Sequence, residues 1–370
     1  MLYNFFGKNK STFISIDKSR SLSKLFIMVV VKKEGIVLEK RALGFEWDGV
    51  LNPGVISYGD FIHIFYRAVA KHNYSSIGYA KFISPLEIAE RMDVPVLFPQ
   101  FDYEEHGVED ARIVKINDIF YLTYCAFDGV NALGALATSS DLITWEKHGI
   151  IVPQMMFDEF KRLAETKGKL NEKYYRYNEH ERIRERKGKK VLVWDKNVVF
   201  FPRKINGKLH FLHRIKPDIQ IVSINDISEL TVEFWQNYLL QFKDNIVLAP
   251  KYKHEISYIG AGCPPIETDA GWLIIYHGVH DTVKGYVYTA CVALFDLENP
   301  QKEIARLPYP LFQPELTWEI KGEVNNVCFP SGAIIQADTL YIYYGGADSC
   351  IGCASVSLSE LLAELQLNLK

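Results

Sequence analysis

The densest group of side chains able to do chemistry is Glu109-Asp110-Ala111-Arg112. Cleaving a glycosidic bond needs a carboxylic acid to protonate the leaving oxygen and a nucleophile on the opposite face. On a strand, Asp110 and Arg112 point one way and Glu109 and Ala111 the other. One acid, Asp110, then faces the reacting side. A nearby Arg⁺ would lower the pKa that a general acid needs raised, and taken alone the group reads equally as a structural Asp–Arg pair. A second group is basic. Arg67 and Arg214 stand at the same offset in two similar stretches, His213 and His277 at the adjacent offset, and Lys196 lies just upstream of the third stretch. Any one of these is more often solvated or satisfied, but cations from separate segments aimed at one hole would hold an anion such as phosphate. Asp348 closes Tyr344-Gly-Gly-Ala-Asp348, where two glycines allow close backbone approach. It reads either as an acceptor for sugar hydroxyls or as a turn residue.

An internal repeat must position these residues. A turn signal followed by an aromatic-rich alternating strand recurs at Gly59–Arg67, Asn117–Cys125, Asn206–Arg214, Ala270–Gly278 and Ala337–Gly345. Asp60 to Asp118 is 58 residues, Gly207 to Gly271 is 64 and Gly271 to Asp338 is 67, whereas Asp118 to Gly207 is 89. An insertion of roughly 25–30 residues therefore lies in the third copy. Each copy follows a short strand ending in Ile, often with Pro: Asn52-Pro53, Asp110–Ile113, Pro202–Ile205, Pro264-Pro265-Ile266 and Pro330–Ile334. Pro belongs at a strand start or edge. Five strand–turn–strand copies predict an all-β five-bladed β-propeller over residues 28–370 with these five strands around its axis. An ordinary β-sandwich does not explain five evenly spaced copies.

The charge-dense insertion, about 154–190, places Met156, Phe160 and Leu163 on one helix face and reads as a solvated helical excursion, or as a lid or an oligomer contact over the channel. Ser357 and Glu360 have capping-box spacing, predicting a C-terminal helix with Leu361, Leu362 and Leu365 inward. Residues 1–27 read as a polar leader, although Leu25–Val31 is β-branched enough for a strand.

The chain has 370 residues, 48% of them hydrophobic and 13% aromatic, enough for one large all-β domain. A net charge of −3 gives no basic field for nucleic acid and no polybasic anchor. Neither a spanning apolar stretch nor a signal-like core is evident, so a cytoplasmic location and no membrane partner are expected. Six scattered cysteines, including Cys350-Ile-Gly-Cys353, lack companion ligands, so neither a metal site nor a cofactor is expected.

The span from about Gly35 to Leu362 resembles glycoside hydrolase family 130, the β-mannoside phosphorylases and related β-mannosidases. The resemblance rests on Leu51-Asn-Pro-Gly54, Phe65-Tyr-Arg67, Gly107–Arg112, Lys196–Pro202, Leu212-His-Arg214, Gly260–Thr268, Gly271–Gly278, Ala305–Pro310, Asn325–Pro330 and Tyr343–Asp348. It implies inversion at the anomeric carbon, with Asp110 as catalytic acid and Lys196, Arg214 and His277 binding inorganic phosphate as co-substrate. Asn52, Arg67, Glu109, Tyr258 and Asp348 would contact a small mannosyl-oligosaccharide. Two departures stand out. Ala111 replaces the usual Pro, and Tyr258 stands where phosphorylases commonly carry a phosphate-binding Lys. Phosphorolysis to α-mannose 1-phosphate is therefore expected, with hydrolysis close behind, Glu255 as a candidate base, and a non-catalytic carbohydrate-binding propeller third. Linkage and oligomeric state, homo-oligomer included, stay open.

Overall fold

The structure is a computed structural model that describes residues 28–182, 188 and 190–369. The leader and the apolar stretch up to Ile27 lie outside the described residues. Met28–Val31 are not in a strand, and the first strand is Lys32–Leu38.

The described residues are mostly β and form five antiparallel meanders, here called units. The first comprises Gly49–Tyr58, Phe61–Ala70, Tyr74–Ser84 and Glu87–Arg91. The second comprises Gly107–Ile116, Ile119–Phe127, Ala132–Ser139 and Glu146–Ile150. A single parallel pairing, Ser75 with Gly107, links these two. The third is Lys196–Phe200, Leu209–Arg214, Ile219–Ile224 and Ile246–Leu248. The fourth runs through Tyr258–Ala261 and Ile266–Thr268, then Gly271–Thr282, Gly285–Phe295 and Glu303–Arg306. The fifth is Cys328–Gln336, Thr339–Gly346 and Cys350–Ser357, completed by the chain's first strand, Lys32–Leu38, paired with its last.

Strand faces explain the packing. Successive side chains alternate, so Ile64 and Phe65 enter different hydrophobic clusters, as do Ile275 and Tyr276. Five such clusters lie between consecutive units: first and second, second and third, third and fourth, fourth and fifth, and fifth back to first. A sheet apolar on both faces needs a neighbour on each side. The leading strand of the first unit touches those of the second and fifth, the second's touches the third's, and the third's touches the fourth's. Pro53 and Pro330 sit at register shifts of leading strands, and Pro264-Pro265 interrupts the fourth. Each leading strand ends its meander, where a missing N–H is tolerated.

Four units share a buried ionic clip. A glutamate on a short helical turn before the leading strand accepts from a tyrosine of the second strand and pairs with a cation on the outermost strand. Glu46 takes Tyr66 Oη at 2.7 Å and pairs with Arg91; Glu104 takes Tyr124 Oη at 3.1 Å and pairs with Lys147. Glu255 takes Tyr276 Oη at 2.7 Å and Arg306 Nη1 at 3.0 Å; Glu319 takes Tyr344 Oη at 2.6 Å and Lys33 Nζ at 2.5 Å. All four glutamates are fully buried. The third unit substitutes a chain from Asp195 to His213 to Tyr238, with both contacts under 2.9 Å.

The insertion is not a solvated excursion. Helices Phe157–Ala164 and Glu172–Arg182, with the link between them, send Phe157, Phe160, Leu163, Leu170 and Tyr174 into the cluster between the second and third units, beside Trp235 and Phe242. Met156, expected on that inner face, precedes the first helix and is 44% exposed; Phe157 takes its place. Ser357 caps Leu358–Leu367 by accepting from the Glu360 N–H, and Leu361 and Leu365 are buried.

Candidate active site

Bulges in the leading strands build the site. Register breaks between Leu51 and Gly54, Glu109 and Arg112, and Lys196 and Val199. Inside these breaks Asn52, Asp110 and Asn197 adopt positive φ of 49°, 53° and 58°. An extra residue re-aims a side chain and bends the strand, and Asn and Asp tolerate this left-handed region better than other non-glycine residues. The strict alternation expected at Glu109–Arg112 therefore fails, and two acids face one cation. Arg67 Nη2 lies 2.7 Å from Glu109 Oε1, and Nη1 lies 3.8 Å from Asp110 Oδ1. Asn52 Nδ2 donates to Asp110 Oδ1 at 2.8 Å. Arg112 turns instead to backbone: its Nη1 donates to Asp110 O at 3.0 Å and its Nε to Gly262 O at 2.5 Å.

The basic group comes from the third and fourth units. Lys196 is the register partner of Arg214, whose Nη1 lies 3.4 Å from His277 Nε2. Gly260 makes room for them: a Cβ there would stand 2.5 Å from the His277 ring and 3.1 Å from Arg214 Cδ. Tyr258 is buried, its hydroxyl 2.5 Å from that of Tyr288 and its ring 5.6 Å from the Arg214 guanidinium. Lys216 Nζ stands over the same ring at 4.7 Å. On the fifth unit, Gly345 lets Asn52 approach, since a Cβ would sit 2.1 Å from Asn52 Oδ1. Asp348 follows in a tight left-handed turn, φ 51°.

These residues share one field. Burial raises Asp110, but Arg67, Lys196 and Arg112, with the Asn52 hydrogen bond, outweigh it and hold its carboxyl below the usual range. Burial pushes Glu109 up despite Arg67, and pushes Asp348 up to about 6 with repulsion from Asp110 and Glu109 added. Burial, then Arg214, Arg112, Lys196 and Lys216, keep His277 neutral, well below its ordinary value. Four cations (Arg67, Arg112, Lys196, Arg214) thus share a field with three carboxylates (Glu109, Asp110, Asp348), two of which burial pushes toward the neutral form, leaving positive charge suited to an anion. Buried side-chain atoms with no protein hydrogen bond include Asn52 Oδ1, Arg112 Nη2, Asn197 Oδ1, Arg214 Nε, His277 Nδ1 and Ser331 Oγ. Each costs about 1–3 kcal/mol if left bare, so these atoms offer unmet hydrogen-bonding capacity to water or a polar solute.

Two residues from the sequence reading lie elsewhere. His213, expected beside His277, turns outward to Asp195 and Tyr238. Glu255, the candidate base, is consumed by its clip with Tyr276 and Arg306. Asn197, Ser331, Tyr288 and Lys216 went unread. Asn197 had a signal, because Lys196-Asn197 stands where Leu51-Asn52 and Glu109-Asp110 stand. Lys216 had none, lying in a turn outside the repeat.

The chain matches, over residues 44–367, the profile of glycoside hydrolase family 130, described as β-1,4-mannooligosaccharide phosphorylase. It is 32% identical over 332 residues to the 1,2-β-oligomannan phosphorylase of Thermoanaerobacter sp. strain X514, covering 85% of this chain and 93% of that one. The β-1,2-mannobiose phosphorylase of the same organism is 34% identical over the same shares. The structure of the Listeria innocua β-1,2-mannobiose phosphorylase in complex with β-1,2-mannobiose superposes with a TM-score of 0.68 at 23% identity, covering 91% of this chain and 99% of that one. A profile spanning almost all of the described residues, and relatives above 30% identity matched along nearly their whole length, place this chain in glycoside hydrolase family 130.

Proposed function

We propose that this enzyme is an inverting β-mannoside phosphorylase in which residues 28–370 form a single five-bladed propeller around the site. The cyclic succession of five interlayer cores, and the N-terminal strand completing the last unit, support the propeller. The observation that carries the chemistry is the excess of cations around Asp110, with Lys196, Arg214 and neutral His277 facing it from the third and fourth units. The names of the Thermoanaerobacter relatives support β-1,2-linked mannosides as substrate.

In this reading phosphate sits on Lys196, Arg214 and His277, and a phosphate oxygen attacks the anomeric carbon from the face opposite the leaving group. The C1–O bond breaks, Asp110 delivers a proton to the departing oxygen, and the β-mannoside becomes α-mannose 1-phosphate. Asn52, Arg67, Glu109 and Asp348 hold sugar hydroxyls, and Tyr258 lines the pocket. Bound phosphate also supplies what Asp110 lacks: its charge offsets the cations that depress the carboxyl, so proton affinity rises when the nucleophile is in place. Hydrolysis is the second reading, favoured by Asp348, whose carboxyl near 6 suits a base that activates water. Incubation with β-1,2-mannobiose separates the two. Mannose 1-phosphate forming in proportion to phosphate supports phosphorolysis, and free mannose released at a phosphate-independent rate refutes it.

A further inference from the structure

Two large aromatic side chains stand exposed at the rim of the first unit, Trp47 at 46% and Tyr74 at 44%. With Gly44, Ala70 and Lys71 they line a cleft of about 440 Å³. Both walls of this cleft run into the site. On one, Trp47 stands two residues before Gly49, where an added Cβ would lie 3.5 Å from Asp348 O. On the other, Tyr74 precedes Ser75, whose Oγ accepts from Arg67 Nε at 2.8 Å, and Asn73 Oδ1 accepts from Arg67 Nη2 at 3.5 Å. The turn before Tyr74 is held in one shape. His72 and Asn73 keep positive φ of 67° and 61°, a conformation that persists in non-glycine residues where the surroundings impose it. The Tyr74 ring stacks on His106 at 5.3 Å and 14°. Gly129 makes room for that imidazole, since a Cβ there would lie 2.7 Å from its Cδ2. Lys71 Nζ lies 4.6 Å from the centre of the Trp47 ring. A single exposed aromatic is ordinary, but two that flank one cleft beside a sugar site form a patch with a use. Aromatic faces suit the apolar face of a pyranose ring, and an ammonium donates to the hydroxyls at its rim.

In the reaction proposed above one mannosyl unit is transferred, so the rest of the chain is the leaving group and must pass out over the rim. We propose that this cleft binds the distal units of that leaving chain, with Trp47 and Tyr74 stacking on pyranose faces and Lys71 donating to hydroxyls. The enzyme then prefers β-mannosides longer than a disaccharide. This rests on the β-mannoside phosphorylase reading, and the test separates the two.

Release of the terminal unit from β-1,2-mannobiose and from β-1,2-mannotetraose is measured at several phosphate concentrations for the full-length wild type, Trp47→Ala, Trp47→Tyr and Tyr74→Ala. In the wild type kcat/KM should be about fivefold to twentyfold higher for the tetraose. Trp47→Ala and Tyr74→Ala should each lose most of that advantage, with kcat/KM for mannobiose within about twofold. Trp47→Tyr keeps an aromatic face and should recover most of it. Equal kcat/KM for the two substrates in the wild type overturns the role of the cleft. Equal losses on both substrates in the two Ala variants overturn it as well, since a merely structural ring would act that way. Sedimentation of the wild type and Trp47→Ala tests the other occupant: a dimer that the substitution dissociates, with the chain-length preference unchanged, makes the cleft a contact between copies and overturns the proposal. Mannose released at a phosphate-independent rate refutes phosphorolysis alone, because the ratio between the two substrates, read from the same rates, still decides the cleft.

Discussion

Arg67 reaches two adjacent carboxylates at once, Glu109 at 2.7 Å and Asp110 at 3.8 Å. The bulge at Asp110 makes this geometry, because a regular strand would send the two acids to opposite faces. Arg67→Ala leaves two buried like charges without their cation. Breaking a buried pair this way costs about 3–5 kcal/mol, so urea unfolding at pH 7 should register a loss of that size. Arg67→Lys keeps the charge but not the two-pronged reach. It should fold with little loss and still turn over about 10–100-fold more slowly, in line with a misplaced positioning group. Near-wild-type turnover in the Lys variant would mean that bidentate contact is irrelevant.

Asp110 is held ionised by Arg67, Lys196 and Arg112 against the effect of burial. A depressed carboxyl contributes stability above its unfolded value near 3.9, which is lost as pH falls through the lower folded value. Asp110→Asn should therefore show a shallower acid loss of stability than the wild type. Its turnover should fall about 10²–10⁴-fold with mannobiose binding retained. Because bound phosphate raises the proton affinity of Asp110, the basic limb of kcat should lie at higher pH than that of kcat/KM for phosphate. Coincident limbs would show that phosphate does not act on this carboxyl.

Asp348 shifts the other way, to about 6, through burial and repulsion from Asp110 and Glu109. The folded protein holds this proton more tightly than the unfolded chain, so between about pH 4 and 6 stability falls as pH rises. Above 6 the ionised group is a standing cost. Asp348→Asn should be more stable than wild type at pH 7.5 by about 1–2 kcal/mol, allowing for partial exposure, while losing activity with the hydroxyl acceptor. Paired melting curves at pH 5 and 7.5 decide it: the difference between variant and wild type must grow with pH.

The five hairpins were legible because each opens on a turn signal and alternates aromatic residues, and that periodicity survives in one dimension. Asp110, Lys196, Arg214 and His277 were legible because repeat and resemblance converge on them. The bulges were not, since alternation arguments assume a regular strand; that is why Glu109 was assigned to the wrong face. His213 and His277 diverge in space because the fourth turn lies one residue earlier than its sequence signal: Thr268 pairs with Gly271, so the turn is Asp269-Ala270, and His277 shares its offset with Arg67 and Arg214 while Tyr276 shares that of His213. Glu255 was read as a base because a glutamate near Tyr258 has chemical potential on paper. In the fold it is one of four copies of a structural clip. A sequence signal for that clip existed in the near-constant spacing of Glu46 to Tyr66, Glu104 to Tyr124 and Glu255 to Tyr276.

Those clips yield the last prediction. Each glutamate is fully buried, accepts a tyrosine hydroxyl and faces a cation from the outermost strand, so it fastens the first, second and fourth strands of a unit together. Tyr124→Phe removes one hydrogen bond and leaves the Lys147 pair intact, at a cost of about 1–2 kcal/mol. Glu104→Gln strands a buried Lys147 and should cost about 3–5 kcal/mol. The same pair of changes at Tyr344 and Glu319, in the unit closed by the N-terminal strand, should cost similar amounts, and losses from the second and fifth units should add because the clips share no partner. None should alter KM for phosphate or mannoside, since no clip residue contacts the Asp110 cluster. Chemical denaturation alongside steady-state kinetics checks both halves. A Glu104→Gln variant with native stability would remove the clip's structural role, and one with native stability but impaired phosphate binding would place Glu104 in the active site.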